Sequence, residues 1–145
     1  MKIMAVLFLM LGILALIAGP RFEKESEQRR ELSVALNFVQ FRQSVMSHVL
    51  NDQDRHDGIV DSALLVLPEG YELLRPWQAR ISENRLYIWG SASWAEVQAV
   101  RNLLLNSWTL GRSEQGILRP RHDGRSITLP QFVPDGCVVS LFSLE

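Results

Sequence analysis

The sequence is poor in cysteine, and this excludes two common ways of stabilising a small domain. Its 145 residues contain one cysteine, Cys137, so neither an internal disulfide nor a multi-cysteine metal site can form. Cys137 opens the apolar run CVVSLF, and free cysteine is among the most buried residue types in proteins. We therefore expect a buried thiol that packs as a small hydrophobic side chain.

The chain also lacks an excess of positive charge. Fifteen basic and sixteen acidic side chains leave a net charge of −1. Because neutralising phosphates requires a basic excess, nucleic acid is not expected as a partner. Lysine is scarce, since thirteen of the fifteen basic residues are Arg and two are Lys. Arginine suits planar ion pairs and protein contacts better than lysine does, so this bias favours a protein partner.

Recognisable catalytic motifs are missing as well. The sequence contains no G-x-S-x-G nucleophile elbow, no phosphate-binding loop and no dinucleotide-binding glycine pattern. The tetrapeptide RHDG occurs at 55–58 and 121–124, and two His-Asp pairs could orient an imidazole or supply four metal ligands. Asp-Gly is typical of turns, however, and we interpret both copies as surface turns. We predict that the protein is not an enzyme and has no cofactor, metal site or small-molecule substrate.

Three acids beside the first RHDG copy superficially resemble an oxygen-ligand calcium loop. They are Asp52, Asp54 and Asp57. The later glycine and the bidentate glutamate of such a loop are absent. We interpret this cluster as the solvated end of a helix.

Near the N-terminus, residues 3–19 form seventeen consecutive uncharged, mostly apolar positions. As a helix they would span about 25 Å, against a hydrocarbon core of about 30 Å. That length suffices for a span if the bilayer thins locally. We predict a membrane anchor over residues 1–20. Its anchoring side chains would be Ile3, Val6, Leu7, Leu9, Ile13, Leu16 and Ile17.

The junction ALIAGPRFEK, residues 15–24, raises the question of cleavage. Signal peptidase requires small residues at positions −3 and −1, and a cut after Ala18 or Gly19 would place Leu16 or Ile17 at −3. No cysteine follows the apolar run to accept a lipid, and the apolar stretch holds no acid of the kind that prepilins carry. We therefore expect an uncleaved signal anchor.

The orientation of this anchor is less strongly encoded. Arg21, Lys24, Arg29 and Arg30 follow the apolar stretch and favour a cytoplasmic C-terminus by the positive-inside count. Four interleaved acids and a two-residue N-terminal tail weaken that count. We expect the N-terminus in the cytoplasm and the body of the protein in the periplasm.

Residues 21–50 are predicted to form one long helix that serves as a stalk. Its first third is polar all round, with acids leading as the helix dipole prefers. Beyond it, apolar residues recur at helical spacing and indicate an amphipathic helix that docks on the domain. They are Leu32, Ala35, Leu36, Val39, Met46, Val49 and Leu50, with Val34, Phe38, Phe41 and Val45 on an adjoining stripe.

The remaining residues, 51–145, show the pattern of a small domain. A strand is predicted in DSALLVLPEGY, residues 61–71, and a β-hairpin in residues 77–90 around Glu83-Asn84. The capping-box sequence at 93–96 starts a helix that should end near Trp108, with Gly111 as its stop. Short strands are predicted in the tail segments GIL, SITLPQF and CVVSLF. This order predicts an α+β fold with a small, mostly antiparallel sheet and one further helix after the long helix.

The possible partner contacts come from the amphipathic helix, the tryptophans and the basic tail. Most tryptophans are expected in the core, while one or two exposed ones would mark a protein contact or a membrane-interface belt. Arg112, Arg119, Arg121 and Arg125 make the tail locally basic, as a solvated loop or as a docking surface for an acidic partner. The selected residues are Leu36, Val39, Met46, Trp77, Trp89, Trp94, Trp108, Arg119 and Arg121.

The opening MKIMAVLFLMLGILALIAGPRFEKE, the total length and the tail PDGCVVSLFSLE resemble one family over the whole chain. It is the family of small PilM proteins of type IVb (thin) pilus systems on conjugative plasmids. The resemblance implies an inner-membrane accessory protein of the pilus basal body or of pilin transport, acting in conjugation. It offers no functional residues to carry over to this sequence.

We therefore expect a single-pass inner-membrane protein with a periplasmic α+β domain that binds other pilus assembly proteins. The alternative is a minor pilin-like subunit that is incorporated into the fibre. Such a subunit would share the long N-terminal helix and small head, but it would require processing. The partners, the stoichiometry and the step in assembly are not encoded in any pattern of the sequence.

Overall fold

The protein divides into two compact units, Met1–Glu31 and Leu32–Glu145. The structure, a computed structural model, describes residues 2–52, 55–105, 107, 109–119 and 126–144, and for residues 2–22 the backbone alone. Helix α1 runs over Lys2–Asn51. The predicted boundaries between anchor, stalk helix and domain, after residues 20 and 50, stay a prediction.

The first unit consists of the N-terminal part of α1. Residues 23–30 are all exposed, as the polar first third of the predicted stalk requires. Among the residues whose structure is described, no helix combines the length and hydropathy that a membrane span needs. The side chains of the predicted anchor, Ile3, Val6, Leu7, Leu9, Ile13, Leu16 and Ile17, lie outside the described part.

The second unit contains the rest of α1, a second helix and an antiparallel sheet. Its described residues form seven strands in the order β1-β2-β3-β7-β4-β5-β6. All paired neighbours run antiparallel. The elements after α1 are β1 (Gly58–Ile59), a 3-10 turn (Ser62–Leu64), β2 (Gln78–Ser82), β3 (Arg85–Ser91), α2 (Trp94–Leu103), β4 (Leu110–Glu114), β5 (Ile117–Arg119), β6 (Ile127–Thr128) and β7 (Cys137–Ser143). The predicted α+β class with one further helix is confirmed.

One face of the sheet packs against α1 and α2. The inward side of α1 consists of the buried residues Val34, Phe38, Phe41 and Val45, together with Ala35 and Val49. Alternate residues of β2, β3 and β7 point to this side, as the two-residue period of a strand requires. This main core contains Val34, Phe38, Phe41, Val45, Trp77, Ala79, Ile81, Leu86, Ile88, Val97, Val100, Leu110 and Val138.

The opposite face of the sheet has a core of its own. The intervening residues of β3 and β7 and Leu118 of β5 form this core. The segment after β6 covers it. Its members are Tyr87, Trp89, Leu118, Leu129, Val133, Cys137, Val139 and Leu141. The central strands are therefore buried on both faces, which explains the continuous apolar run of β7. Cys137 is a free, buried cysteine, as predicted.

Asn37 joins α1 to the chain segment that leads into β2. Its Nδ2 donates to the carbonyl oxygen of Glu72 at 2.8 Å, and its Oδ1 accepts from the backbone N–H of Leu74 at 3.0 Å. The same Oδ1 accepts from Nε1 of Trp77 at 2.7 Å. The hydroxyl of Tyr71 donates to the Asn37 carbonyl oxygen, and burial raises the pKa of Tyr71 to about 12, so this donor keeps its proton.

The predicted hairpin is confirmed in detail. Strands β2 and β3 pair from Gln78↔Trp89 to Ser82↔Arg85. The two turn residues, Glu83 and Asn84, both have positive φ, 51° and 60°. A two-residue turn with positive φ at both positions is the type I′ turn, whose twist matches that of the flanking strands.

Several predicted elements differ from the structure. The segment 61–71 is not a strand, because Asp61 caps a 3-10 turn through its side chain, which accepts from Ala63 N–H at 2.9 Å. Helix α2 ends at Leu103 and not near Trp108, and Leu105 has a φ of 53° that no helix accommodates. Trp108 itself lies outside the described residues.

Gly111 was predicted to stop α2, but it lies within β4. A Cβ atom there would lie 2.6 Å from the carbonyl oxygen of Arg119. Glycine is required because β5 approaches this point so closely. Of the predicted tail segment SITLPQF, the strand comprises Ile127–Thr128.

Candidate functional site

Three of the four tryptophans selected as partner contacts, Trp77, Trp89 and Trp94, lie within the described residues and have separate locations. Trp77 and Trp89 are buried in the two cores. Trp77 packs edge-on against Phe38 with ring centroids 5.0 Å apart, and Trp89 lies 5.5 Å from the ring of Phe132. Both therefore stabilise the fold. Trp94, in contrast, is 51% exposed at the start of α2.

Trp94 belongs to a chain of side-chain contacts that ends at Arg119. The guanidinium of Arg112 stacks over the Trp94 ring, 4.8 Å from its centroid. The same guanidinium lies 3.5 Å from the Glu114 carboxylate, which lies 3.7 Å from Nε of Arg119. We call these four residues the Trp94 surface. The fold thus unites two of the selected residues, Trp94 and Arg119; Arg121 lies outside the described residues.

The position of Trp94 is fixed by the cap of α2. Ser93 Oγ accepts from the backbone N–H of Glu96 at 3.1 Å, and Glu96 Oε2 accepts from Ser93 N–H at 2.7 Å. This is the predicted capping box, and Trp94 is the first residue inside it. Arg75 adds an ion pair to Glu96 at 2.7 Å. The capping box therefore fixes the backbone at Trp94, whose ring is half exposed.

The cap and the ion pair with Arg75 change the pKa of the Glu96 carboxyl group. Burial favours the neutral acid, but the hydrogen bond from Ser93 N–H and the ion pair with Arg75 act in the opposite direction. Together they hold the pKa of Glu96 below its usual value. The ionised carboxylate is therefore part of the folded structure at neutral pH.

The arginines of the Trp94 surface are positioned by β4 and β5. Arg112 and Arg119 are direct neighbours in this strand pair. Nη2 of the buried Arg101 of α2 donates to the carbonyl oxygen of Arg119 at 2.8 Å. This bond ties the second helix to β5. Ser113, between Arg112 and Glu114, points to the other face and donates to Pro134 O at 2.7 Å.

A second exposed feature lies along α1. Leu32, Leu36 and Leu50 are 46%, 45% and 58% exposed, while Val39 and Met46 are half-buried at the edge of the main core. Leu36, Val39 and Met46 were selected from the sequence and lie together on this side of the helix. The helical period could not show which of its two apolar stripes faces the sheet. Within the first stripe, Ala35 and Val49 are buried, while Leu32, Leu36 and Leu50 are exposed.

A groove of about 710 Å³ runs along α1 beside this stripe. Residues 66–68 form its other wall. Its helix wall is uncharged and polar, with Gln40, Gln43, Ser44 and Ser47 among its residues. No residue type in it points to a particular small molecule.

The first copy of the RHDG tetrapeptide is exposed over residues 55–57 and leads into β1. In the first copy, Asp57 Oδ2 accepts from Glu83 N–H at 3.1 Å, and Gly58 begins β1. The second copy, 121–124, lies outside the described residues. Within the described ranges no three His, Cys, Asp or Glu side chains gather as a metal site would require.

Sequence reasoning did not select Glu114 and named Arg112 as part of a basic tail only. The available signal was local: a Trp at the first position of a capped helix and an Arg-x-Glu pair that puts both charges on one side of a strand. Recognising the surface also required knowing that β4 runs beside α2, and β4 was not predicted.

The fold defines the chain as an α+β protein in which two helices cover one face of an antiparallel sheet. The profile of the PilM family matches residues 6–141. A crystal structure of the protein PilM from Escherichia coli B7A is similar in fold, with a TM-score of 0.63 and 24% identity, over 80% of this chain and 94% of that one. No curated protein sequence matches this chain.

The chain belongs to the PilM family, because the matched residues span nearly its whole length. The resemblance seen in the sequence is thereby confirmed. Membership indicates a part in pilus biogenesis.

Proposed function

We propose that this protein is an inner-membrane accessory component of type IVb pilus assembly that acts in conjugation by binding other assembly proteins. The family membership supports the pilus system. The observation that carries the binding role is the Trp94 surface, where a tryptophan at the capped start of α2 is half exposed under an arginine. Tryptophan and arginine are the residue types most enriched at binding hot spots.

Energetics favour a binding role for Trp94 over a purely structural one. An exposed indole ring keeps a large apolar area in water, and covering it with a partner would recover roughly 25 cal/mol per Å². The capping box and the stacked Arg112 already restrict the ring. Binding therefore costs little side-chain entropy. Arg119, which is 59% exposed, offers a charged rim beside it.

The membrane attachment in this proposal rests on the sequence of residues 3–19, which are uncharged over seventeen positions. We place the N-terminus in the cytoplasm and the domain in the periplasm. Alkaline phosphatase fused to the C-terminus is then active in cells. An inactive fusion, together with full-length product, would contradict this orientation.

A photo-crosslinking amino acid at position 94 tests the binding role directly. In piliated cells, the chain with the crosslinker at Trp94 should form a defined adduct with a pilus assembly protein. The matched control carries the crosslinker at Gln131, an exposed residue in a turn between β6 and β7. Equal adducts at both positions, or none at Trp94, would reject the surface. An adduct with the major pilin in sheared pili would identify a fibre subunit instead.

A further inference from the structure

The exposed stripe of α1 has the spacing of a coiled-coil seam. Its residues follow alternating steps of four and three, which is the heptad pattern that faces another helix. In order they are Leu32, Leu36, Val39, Gln43, Met46 and Leu50. We call these six residues the α1 seam. It spans about 28 Å of helix at 1.5 Å per residue.

The seam is centred on a different side of α1 from the buried stripe, while its residues Val39 and Met46 also pack at the edge of the main core. Its centre lies roughly 120° around the helix from the buried stripe, at 100° per residue. The ends of the seam are well exposed, as Leu36 and Leu50 show, and Gln43 at its middle is exposed as well. Because this angle exceeds a right angle, a helix on the seam would face away from the sheet behind α1, and residues 66–68 would border it across the groove at Gln43.

We propose that the α1 seam binds the same seam of a second copy, with the two helices parallel and in register. The central residue of the seam is the first argument. Gln43 occupies the same heptad position as Leu36 and Leu50, and in a parallel pair each of these residues meets its own counterpart. A primary amide both donates and accepts, so two Gln43 side chains satisfy each other. An apolar partner residue would leave the amide unpaired in the seam.

Charge is the second argument for a second copy. The solvent-facing flank of the seam consists of Ser33, Gln40 and Ser47, all uncharged. Coiled coils that select a different partner usually do so with charges at these positions. Charges on this flank would repel each other in a pair of identical helices. Because the flank carries no charge, two copies can pair without this repulsion.

Arg42, on the other flank, does not disturb that pairing. It is the only Asp, Glu, Lys or Arg between residues 32 and 50. Its Nε donates to Ser140 Oγ at 3.0 Å, and its guanidinium lies 4.5 Å from the centroid of the Phe142 ring. Arg42 is therefore held against the sheet of its own copy.

This inference goes beyond the proposed function and does not depend on it, because pairing through the seam requires neither the Trp94 surface nor the pilus. Two copies of a 19-residue seam form a short interface. A reversible dimer is the expected product.

Disulfide trapping in the full-length chain, in cells that express it, tests the proposal. Single substitutions Leu36→Cys, Gln43→Cys and Leu50→Cys should each give a disulfide-linked homodimer after mild oxidation. Ser44→Cys is the matched control, since it lies one residue from Gln43 but outside the seam. The unsubstituted chain, whose Cys137 is buried, is the blank. Both should remain monomeric on a non-reducing gel.

Register is tested by expressing Leu36→Cys and Leu50→Cys chains with different tags together. Parallel pairing predicts homodimers of each and no mixed product. A predominant mixed product would show antiparallel pairing and overturn the proposal. It is also overturned if the seam cysteines give no dimer, trap another protein instead, or dimerise no better than Ser44→Cys.

A charge variant gives an independent readout. Leu36→Glu combined with Gln43→Cys should lose the disulfide-linked dimer, because two carboxylates would face each other about two helical turns from the thiols. Leu36 is nearly half exposed, so the fold should survive, with unchanged tryptophan fluorescence. Retention of the dimer in this variant would contradict pairing through the seam.

Discussion

Oδ1 of Asn37 accepts a 2.7 Å hydrogen bond from the indole Nε1 of Trp77, although the two residues are forty positions apart in the sequence. This buried bond joins α1 to the start of β2 and fixes the ring on which Phe38 packs. The side-chain nitrogen and oxygen of this inward-facing residue thus both have hydrogen-bond partners, as is usual for buried polar atoms.

Replacing Asn37 should destabilise the domain. Asn37→Ala removes the acceptor of both Trp77 Nε1 and the Leu74 N–H, and each unsatisfied buried donor costs about 1–3 kcal/mol. We expect the free energy of unfolding, measured by urea titration of tryptophan fluorescence, to fall by about 2 kcal/mol or more. Asn102→Ala, at an exposed position of α2, should change it by less than about 0.5 kcal/mol. Equal effects of the two substitutions would contradict this role.

Gly90 should tolerate no side chain. A Cβ atom at this position would overlap Cε3 of Trp77, so Gly90→Ala must displace a buried ring. Overpacking of this kind costs typically about 1–3 kcal/mol. Thermal unfolding should show a clear loss of stability for Gly90→Ala. Ser91→Ala, at the exposed next position, should behave like the unsubstituted chain.

The cap of α2 should make stability depend on acid. Because the pKa of Glu96 is held below its ordinary value, the folded state binds a proton there less readily than the unfolded state. The stabilisation is present above the ordinary pKa of the carboxyl group, 4.5, and is lost as the pH falls through the lower folded pKa.

Glu96→Gln isolates this effect. The difference in unfolding free energy between the unsubstituted chain and Glu96→Gln should be largest at neutral pH and should shrink below about pH 4. Urea titrations at pH 7 and pH 3 measure it. A difference that stays constant or grows on acidification would show that the carboxylate is not what stabilises the cap.

Cys137 should react slowly in the folded protein. Burial raises the pKa of its thiol, and the thiolate is the reactive species. A thiol reagent should label the folded chain at pH 7 far more slowly than the urea-unfolded chain. A cysteine introduced by Gln131→Cys, at an exposed position, gives the rate for an accessible thiol. Labelling of the unsubstituted chain at that rate would contradict the burial of Cys137.

The elements that could be predicted from sequence are those with a local cause. The hairpin at Glu83-Asn84 and the capping box at Ser93 follow from residues that are neighbours in the chain, and both are confirmed. The burial of Cys137 follows equally from its apolar neighbours.

The missed elements depend on contacts between distant segments. Strand β4 contains Gly111 and Arg112, which as local signals indicate a loop, and it forms because β7 and β5 pair with it on either side. The inward side of α1 was ambiguous because both apolar stripes follow the helical period. Only the sheet determines that Phe38 points inward while Leu36 faces solvent.

The Trp94 surface was predictable only in part, because it too depends on contacts between distant segments. Trp94 and Arg119 were selected by residue type, but their connection runs through Arg112 and Glu114 on β4. No spacing in the sequence brings residues 94 and 119 together.

The central claim, that the Trp94 surface binds a pilus assembly protein, is tested most directly by counting pili on cells whose only copy of the protein carries Trp94→Ala with Arg119→Glu. Both side chains are exposed, so the variant should accumulate normally and unfold within about 1 kcal/mol of the unsubstituted chain. The account predicts that these cells lose their pili while cells with Gln131→Ala remain piliated. Normal piliation of cells carrying the folded double variant would contradict it.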